Sequence, residues 1–308
     1  MLIVLVILLV LVIAGAAAAY IIPFYNPMPH KETPFDIPAN GQYADHYDKV
    51  LRLVTELYNT PYEQVYVTSH DGLRLAARYF HLADGAPVKI EFHGYRGTGI
   101  REFCGARALD VKSGYNVLLV DQRAHGLSEG TCISFGVKER HDVVTWCNYA
   151  VERFGPEVKI LLSGVSMGAA TLLMASDLDL PKNVRGIIAD CGYSSPAAII
   201  KKVCKEDYRL PVWLVYPFAR LTARLIGGFD LEGASAVEAV KHSRVPIIIF
   251  HGEEDRYVPC SMAHEIYAAA DGKAELHTVP KAGHALSYMV DEAAYHAAVI
   301  PFCQKVLK

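Results

Sequence analysis

Residues 158–170 constrain the fold of this chain more than any other stretch, because an apolar run there leads directly into the pattern Gly-x-Ser-x-Gly. The apolar run predicts a buried strand, and the small and aliphatic residues around Gly168 predict a helix. A strand-to-helix turn this sharp leaves no room for a β-carbon at Gly164 or Gly168. The turn exposes the hydroxyl of Ser166 at a helix N-terminus, where free backbone N–H groups favour a developing negative charge.

Two loops further along the chain carry residues that can activate a serine hydroxyl. A buried strand ends in a loop that contains Asp255, and the next short strand leads to His284. A histidine titrates in the useful pH range and takes the serine proton, and a carboxylate fixes the tautomer of its ring. The order predicts a catalytic triad with Ser166 as nucleophile, Asp255 as acid and His284 as base. Glu254 and Asp190 remain alternatives for the acid.

Five motifs in chain order resemble those of the α/β-hydrolase superfamily, over roughly residues 62–308. The most similar members by pattern are small bacterial esterase-like and serine-peptidase-like hydrolases. The resemblance implies a mostly parallel eight-stranded sheet with helices on both faces and a small helical cap. The motifs are the His93-Gly94 loop, residues 121–130, the Gly-x-Ser-x-Gly turn, the acid loop at 252–259, and Gly283-His284.

Tyr95 and Met167 are the predicted donors of an oxyanion hole, through their backbone N–H groups and not their side chains. Tyr95 follows the His-Gly pair and Met167 follows the nucleophile, which are the two usual donor positions. The side chains of Asp121, Arg123 and His125 are predicted to be structural, since a buried Asp–Arg pair can hold a loop in place.

Apolar runs and turn signals predict eight strands, with helical patterns between most of them, so the strands are expected to be mostly parallel with right-handed crossovers. An Asp-Gly turn after the first strand predicts an antiparallel edge. The predicted strands are 62–68, 73–80, 87–93, 116–121, 158–163, 184–190, 246–251 and 274–279. The predicted helices are 43–58, 99–112, 137–154, 167–176, 261–271 and 289–306.

The segment at about 192–244 is longer than one crossover needs, and it is predicted to form the cap. Two or three of its helices are expected to make an apolar roof over Ser166, because small-molecule sites are mostly apolar. The alternative is that these residues pack only against the sheet. The predicted substrate-binding residues of the cap are Trp213, Tyr216 and Phe218.

Residues 1–22 contain no charged side chain, and as a helix they are about 33 Å long, enough to cross a bilayer core. They are predicted to be an uncleaved transmembrane anchor, with the membrane side left open. The alternative is a signal peptide cleaved within the Ala-rich stretch 14–19, which gives a secreted protein. Five prolines predict that residues 23–40 form a stiff spacer. Residues 41–308 are predicted to form the hydrolase domain and to act without the anchor.

The composition bounds the remaining possibilities. With 308 residues, 52% of them hydrophobic, the chain can bury a large core, and a net charge of −3 argues against binding nucleic acid. The seven cysteines form no Cys-x-x-Cys pair, and neither zinc-type spacing nor a Gly-rich phosphate loop occurs. We therefore expect no metal and no cofactor, and the sequence leaves the oligomeric state open.

Together these features predict a membrane-anchored serine hydrolase that cleaves a small-molecule ester with a short-to-medium acyl or aryl group, through an acyl-enzyme on Ser166. Peptidase (aminopeptidase-like) or thioesterase activity is the enzymatic alternative. A peptidase needs an acidic group for a substrate ammonium, and the cap offers Glu206 and Asp207. A catalytically silent, membrane-anchored binding protein on this fold is the alternative outside enzymes.

Overall fold

The computed structural model describes residues 2–28, 30, 33–39 and 41–308; Met1 of the predicted anchor and residues 29, 31, 32 and 40 of the predicted spacer lie outside it. The strands in this part of the chain are β1 (Glu63–Thr68), β2 (Arg74–Phe80), β3 (Val88–Phe92), β4 (Asn116–Asp121), β5 (Ile160–Val165), β6 (Val184–Asp190), β7 (Ile247–Gly252) and β8 (Ala274–Val279). They form one sheet in the order β1-β2-β4-β3-β5-β6-β7-β8. β2 runs antiparallel to β1 and β4, and the other neighbours are parallel, which confirms the predicted sheet.

Helices lie between most of these strands, as predicted. The helices are α1 (Leu2–Ile21), α2 (Tyr47–Tyr58), α3 (Gly99–Phe103), α4 (Ala106–Ser113), α5 (Glu139–Phe154), α6 (Met167–Ala175), α7 (Pro196–Lys202), α8 (Val212–Thr222), α9 (Ala236–Lys241), α10 (Cys260–Ala269), α11 (Ser287–Val290) and α12 (Glu292–Val306). A 3-10 turn (Gly41–His46) precedes α2, and π-helical turns follow α7 (Val203–Asp207) and α8 (Ala223–Gly227). The cap segment thus contains α7, α8 and α9.

The turn after β5 is as sharp as the sequence predicts. A β-carbon on Gly168 would lie 1.9 Å from the carbonyl oxygen of Phe92, and one on Gly164 would lie 2.6 Å from the backbone nitrogen of Ala169. Glycine is therefore required at both positions. Ser166 has a φ of 54°, in the left-handed region that other residue types adopt only at some cost. This backbone conformation directs the serine side chain away from the sheet.

Apolar layers on both faces of the sheet fix this turn in place. On one face, α6 is buried along its whole length, and α5 and α9 pack against it. On the other face, Val299 and Phe302 of α12 pack with Ile248 and Phe250 of β7. Close packing on both sides resists movement of the strand ends. The carboxyl edge of the sheet is therefore a rigid platform for the loops that follow β3, β5, β7 and β8.

The first residues of the segment predicted to be a stiff spacer dock on the domain that contains the sheet. Phe24 is fully buried, and its ring packs edge-on against Phe135 and Phe229 with centroids 5.9 and 5.4 Å apart. The backbone N–H of Ile133 donates to the carbonyl oxygen of Phe24 at 2.8 Å. The backbone there is a turn that continues α1, with the N–H of Phe24 donating to the carbonyl oxygen of Tyr20 at 3.0 Å, so the extended backbone that the prolines predict does not begin at this point.

α1 has the length and hydropathy of a membrane span, and its C-terminal end packs against the cap. Residues 2–15 are exposed, whereas Tyr20 is buried and its ring centroid lies 5.9 Å from that of Phe24. The helix therefore joins the apolar core through its last turns only.

Candidate active site

The carboxyl ends of β5, β7 and β8 bring the three predicted triad residues together. Nε2 of His284 lies 2.9 Å from Oγ of Ser166, and Nδ1 of His284 lies 2.7 Å from Oδ2 of Asp255. A carboxylate facing Nδ1 favours the tautomer that carries its proton there, which leaves Nε2 as an acceptor for the serine hydroxyl. The arrangement is chemically able to generate a nucleophilic serine.

The contacts around Asp255 favour its ionised form. Its Oδ1 accepts hydrogen bonds from the backbone N–H groups of Tyr257 and Val258 at 2.8 and 2.9 Å. Burial alone would raise the pKa of Asp255, but hydrogen bonds with His251 and His284 outweigh burial and hold the pKa well below its ordinary value. The carboxylate therefore stays negative across the working pH range and can stabilise a positively charged His284.

His251 is a second histidine on this carboxylate and is not among the residues predicted from the sequence. Its side chain is fully buried, with Nε2 2.8 Å from the carbonyl oxygen of Val258 and 3.4 Å from Oδ2 of Asp255. A proton on Nε2 serves both acceptors, so His251 holds the acid loop against the end of β7. Its position just before that loop is the signal that the sequence offers.

The two alternative acids have other environments. Asp190 accepts a hydrogen bond from the hydroxyl of Ser287 at 2.8 Å, and burial raises its pKa. Glu254 is exposed, and its backbone N–H donates to the carbonyl oxygen of Ala282 at 2.9 Å. The geometry therefore favours Asp255 over both.

The loop after β3 passes directly over the candidate nucleophile. A β-carbon on Gly94 would lie 3.1 Å from Cβ of Ser166. Tyr95 follows at once and lines the same cavity as Ser166, while Met167 begins α6 on the other side of the serine. The two predicted oxyanion donors thus flank the serine, and their role stays a proposal.

Side chains of this loop also tie it to the backbone just after α1. The hydroxyl of Tyr95 donates to the carbonyl oxygen of Pro23 at 2.9 Å. Nη2 of Arg96 donates to the carbonyl oxygens of Ile22 and Tyr25 at 3.1 and 3.0 Å. The N-terminal segment therefore helps to hold the loop that covers the nucleophile.

Two neutral histidines hold the loop from its other side. The backbone N–H of Gln122 donates to Nε2 of His93 at 3.1 Å, and the backbone N–H of Arg96 donates to Nε2 of His125 at 3.0 Å. Burial lowers the pKa of His93 to about 4 and that of His125 well below its ordinary value. Both rings therefore keep an acceptor nitrogen at neutral pH, and His125 has the structural contacts that were predicted for it.

Arg123 is buried and holds two carboxylates from different parts of the chain. Its Nε and Nη2 donate to Asp142 at 2.6 Å each, and its Nη1 donates to Asp71 at 2.8 Å. Bidentate pairs of this kind fix geometry as well as charge. The predicted structural role of Arg123 thus rests on Asp71 and Asp142, which the sequence pattern alone does not identify.

Two groups of side chains in the described ranges have metal-ligand chemistry. One consists of His70, Asp71 and Asp142, and both of its carboxylates already pair with the guanidinium of Arg123. The other combines Cys191 with the acid and base of the candidate triad. Burial raises the pKa of the Cys191 thiol well above its ordinary value, so the thiol stays protonated and is a poor ligand.

Glu102 on α3 faces the same cavity as Ser166 and is not among the residues predicted from the sequence. Its Oε2 accepts a hydrogen bond from the backbone N–H of Gly94 at 2.5 Å, and a β-carbon on Gly97 would lie 1.9 Å from its Oε1. Burial raises its pKa. Glu102 therefore holds the loop that carries Tyr95 from the cavity side. No sequence motif marks it, because a glutamate on a short helix has the pattern of a solvated residue.

A cavity of about 210 Å³ opens onto Ser166 and His284. The hydroxyl of Tyr43 donates to the carbonyl oxygen of His284 at 3.1 Å, and Ile37, Pro38, Tyr43 and Val50 line the cavity. A larger cavity of about 670 Å³ lies elsewhere, at the amino edge of the sheet, and holds none of the predicted site residues. The apolar walls of the smaller cavity are Ile37, Pro38, Val50, Leu286 and Met289.

The three predicted substrate-binding residues of the cap lie away from this cavity, and none of them lines it in the described part of the chain. Trp213 is exposed, and Phe218 is half-buried. Tyr216 is buried, and its hydroxyl donates to Oε1 of Glu232 at 3.1 Å. The roof that was expected from the cap is therefore formed by Ile37, Pro38 and Val50, near the N-terminus. The apolar side chains of α8 lie on two sides of that helix, some buried against the domain and others exposed.

The sheet, the sharp turn after β5 and the loops at its carboxyl edge define an α/β hydrolase. Residues 92–298 match the model of the alpha/beta hydrolase family, and the chain belongs to that family. It is similar to the uncharacterized protein YqkD of Bacillus subtilis, with 28% identity over 189 residues, 61% of this chain and 62% of that protein. It is also similar to the lysophosphatidylserine lipase ABHD12 of Danio rerio, with 27% identity over 197 residues, 60% of this chain and 47% of that protein. Each match spans less than two thirds of the relative.

Solved structures share the fold at low sequence identity. The esterase Pf2001 of Pyrococcus furiosus aligns with a TM-score of 0.67 and 23% identity over 82% of this chain and 94% of its own. Est1E of Butyrivibrio proteoclasticus, solved with ferulic acid, aligns with a TM-score of 0.60 and 19% identity over 79% of this chain and 99% of its own. These likenesses establish the fold, and with the family they make this protein an α/β hydrolase.

Proposed function

We propose that this protein is a serine hydrolase that cleaves small carboxylic esters through an acyl-enzyme on Ser166. The observation that carries the proposal is the continuous hydrogen-bond chain from Ser166 through His284 to Asp255. A serine hydroxyl needs an adjacent base, and a histidine held by a carboxylate supplies one. The esterase and lipase among the similar proteins support an ester as the bond that is cleaved.

In the proposed mechanism, Oγ of Ser166 attacks the ester carbonyl carbon while Nε2 of His284 takes its proton. Asp255 stabilises the imidazolium that forms. The carbonyl oxygen becomes an oxyanion, which accepts hydrogen bonds from the backbone N–H groups of Tyr95 and Met167. The C–O bond then breaks, and His284 gives its proton to the leaving alcohol. Water repeats these steps on the acyl-enzyme, which releases the acid and restores the serine.

The size and polarity of the cavity support a short-to-medium acyl or aryl group. Its volume of about 210 Å³ is below the range of roughly 300–1,000 Å³ that is usual for drug-sized ligands. Its walls are largely apolar, so each methylene that the substrate buries contributes about 0.8 kcal/mol. Small acyl chains therefore gain affinity until the cavity is full.

The peptidase alternative loses its acidic candidates. Glu206 and Asp207 lie 3.8 and 2.9 Å from Nζ of Lys202, and neither lines the cavity in the described part of the chain. Both carboxylates face the single ammonium of Lys202 and lie outside the cavity lining, so they offer little attraction for a substrate ammonium at the site. We therefore favour ester hydrolysis over aminopeptidase activity.

We further propose that residues 1–22 stay attached and anchor the enzyme in a membrane. Tyr20 and Phe24 belong to the buried apolar core, and their rings contact each other. Cleavage near residues 17–20, as for a signal peptide, cuts the helix within the turns that contact this part of the core. A signal sequence has no need of such packing, whereas an anchor that also supports the domain does.

The test combines active-site labelling with a substrate panel on full-length protein in detergent. Wild-type protein is expected to react with a fluorophosphonate probe and to hydrolyse chromogenic short-chain esters faster than aminoacyl amides. Ser166→Ala removes only the hydroxyl, so labelling and turnover are expected to disappear, with a loss of about 10⁶ in kcat. Ser176→Ala is the matched control, because Ser176 is buried one helix away and donates to the carbonyl oxygen of Leu173. Retention of more than a few per cent of activity in Ser166→Ala would contradict the mechanism.

A further inference from the structure

The cap carries an exposed apolar face that the proposed chemistry does not use. We call Trp213, Leu214, Leu221, Leu225 and Ile226 the cap face; Trp213 is 78% exposed and Leu225 is 76% exposed. Trp213, Leu221 and Leu225 are separated by multiples of four residues, so they form one stripe along α8 and the turn after it. A soluble surface rarely leaves aromatic and aliphatic side chains together in water.

The inner side of the same helix accounts for its attachment to the domain. Tyr216, Ala219 and Ala223 are buried, and Arg220 pairs with Asp230 at 2.8 Å. α8 is therefore already anchored without the cap face. The outward side chains are free to contact something other than the hydrolase domain.

The position of α1 indicates what that contact is. α1 packs against α8 and against the turn Ala223–Gly227. The helix has 20 residues and a length of about 30 Å, which equals the thickness of a bilayer core. Its last turns, residues 16–21, are the part that contacts the domain, and they account for about 9 Å of that length.

We propose that the cap face lies in the membrane interface beside α1, so that the hydrolase domain is partly immersed in the bilayer that holds its anchor. The proposal rests on the proposed anchoring of residues 1–22. If all of α1 is to lie in the hydrocarbon core, the cap has to sink by about 9 Å, and interfacial apolar faces typically sink about 5–10 Å. Trp213 then sits at the depth where tryptophan is enriched.

The residues before α8 suit the same position. Tyr208 and Leu210 are exposed, and the basic residues Lys205 and Arg209 beside them are exposed too, while the exposed carboxylates between them, Glu206 and Asp207, face Lys202. Aromatic side chains at the interface and basic side chains near lipid phosphates are typical of a surface that rests on a membrane. A second copy of this chain could cover the cap face, but it would not explain why the last part of a membrane-spanning helix, about 9 Å long, lies against the cap.

The immersed cap also places the candidate active site close to lipid. Tyr95 lines the cavity with Ser166, and its hydroxyl donates to the carbonyl oxygen of Pro23, two residues beyond the end of α1. One side chain thus separates the cavity from the end of the anchor. Esters that partition into the interface are therefore the substrates that reach this site most readily.

The test measures the depth of Trp213 in full-length protein reconstituted into phosphatidylcholine vesicles. The chain has two tryptophans, and the other one, Trp146, is fully buried in the domain. Vesicles whose acyl chains carry bromine near the headgroup end are expected to quench Trp213, and bromine near the bilayer centre is expected to quench it less. Trp213→Phe is expected to abolish the quenchable emission, because Trp146 stays out of reach.

The matched control places an exposed tryptophan on the opposite side of the domain. Asp84 is fully exposed in the turn before β3, about 17 Å from the carboxyl edge of the sheet. In the variant Asp84→Trp with Trp213→Phe, the emission is expected to be the same in brominated and plain vesicles. Equal quenching of both positions would mean non-specific adsorption and would overturn the proposal.

The other outcomes separate this proposal from the anchor itself. Protein that floats with the vesicles but shows no quenching of Trp213 keeps its anchor and overturns the immersed cap. An unquenched Trp213 together with cross-linked dimers through α8 assigns the cap face to a second copy and also overturns it. Protein that does not float with the vesicles refutes the anchor, and the immersed cap falls with it.

Discussion

Phe24→Ala tests the docking of the N-terminal segment on the hydrolase domain. Phe24 is fully buried and packs edge-on against Phe135 and Phe229. Truncation of a buried phenylalanine removes its transfer free energy and leaves a cavity, and it lowers the free energy of unfolding by about 3–5 kcal/mol. At roughly 2–4 °C for each kcal/mol in a domain of this size, Tm is expected to fall by roughly 6–20 °C.

The assay is thermal unfolding of the full-length protein in detergent, followed by circular dichroism. Phe35→Ala is the matched control, because Phe35 is the same residue type in the same segment but is 44% exposed. Its ring contacts only one aromatic ring among those the structure describes, that of Tyr58 at 5.1 Å, so the expected loss is about 0.5–1.5 kcal/mol. If Phe24→Ala and Phe35→Ala lowered Tm equally, Phe24 would not be docked on the domain, and the segment would be a spacer without packing contacts there.

Three further predictions concern the site. Asp255→Asn is expected to lower kcat by about 10⁴ in steady-state ester assays, because the amide favours the wrong imidazole tautomer. Asp190→Asn is expected to lower kcat far less. The reverse ranking would mean that Asp190 is the acid of the triad. Glu102→Ala leaves the backbone N–H of Gly94 without its acceptor, at a cost of about 1–3 kcal/mol. In steady-state ester assays, kcat is therefore expected to fall about 10–100-fold. Glu102→Gln keeps an acceptor oxygen, so its kcat is expected to stay near that of the wild type. His93 has a pKa of about 4 in the folded protein, below its pKa in the unfolded chain. As the pH falls, the unfolded chain therefore binds the proton first. The free energy of unfolding is expected to fall by up to about 3 kcal/mol between about pH 6.5 and about pH 4. Urea unfolding across this range is expected to show that slope and to show a flatter one for His93→Gln.

The sheet and the triad candidates could be placed from the sequence because their signals are local. Each predicted strand begins and ends within two residues of an observed strand. The agreement is close because an apolar run bounded by turn residues depends on few distant contacts. The predicted helix at 99–112 is broken between α3 and α4, where a β-carbon on Gly105 would lie 2.5 Å from the ring of Tyr288. The glycine at this break is required by a distant contact, which no local pattern contains.

The parts that sequence reasoning missed are set by tertiary partners. The prolines predict a stiff spacer, but the burial of the Phe24 ring depends on Phe135 and Phe229 far along the chain. The apolar content of α8 predicts an amphipathic helix, but it does not say which side faces the domain, and Trp213 lies on the exposed side. The role of Glu102 depends on the backbone N–H of Gly94, which only the folded structure places beside it.

The hydrogen bonds from Tyr95 and Arg96 to the carbonyls of Ile22, Pro23 and Tyr25 bear on how this enzyme has to be purified. A soluble version that starts at residue 41 leaves the tyrosine hydroxyl and the guanidinium in water. The loop over the serine then loses one of its supports and keeps those from Glu102 and His125, and the loss of residues 37 and 38 also opens one wall of the cavity. Turnover numbers and chain-length profiles measured on such a version describe a looser and wider site than that of the intact chain.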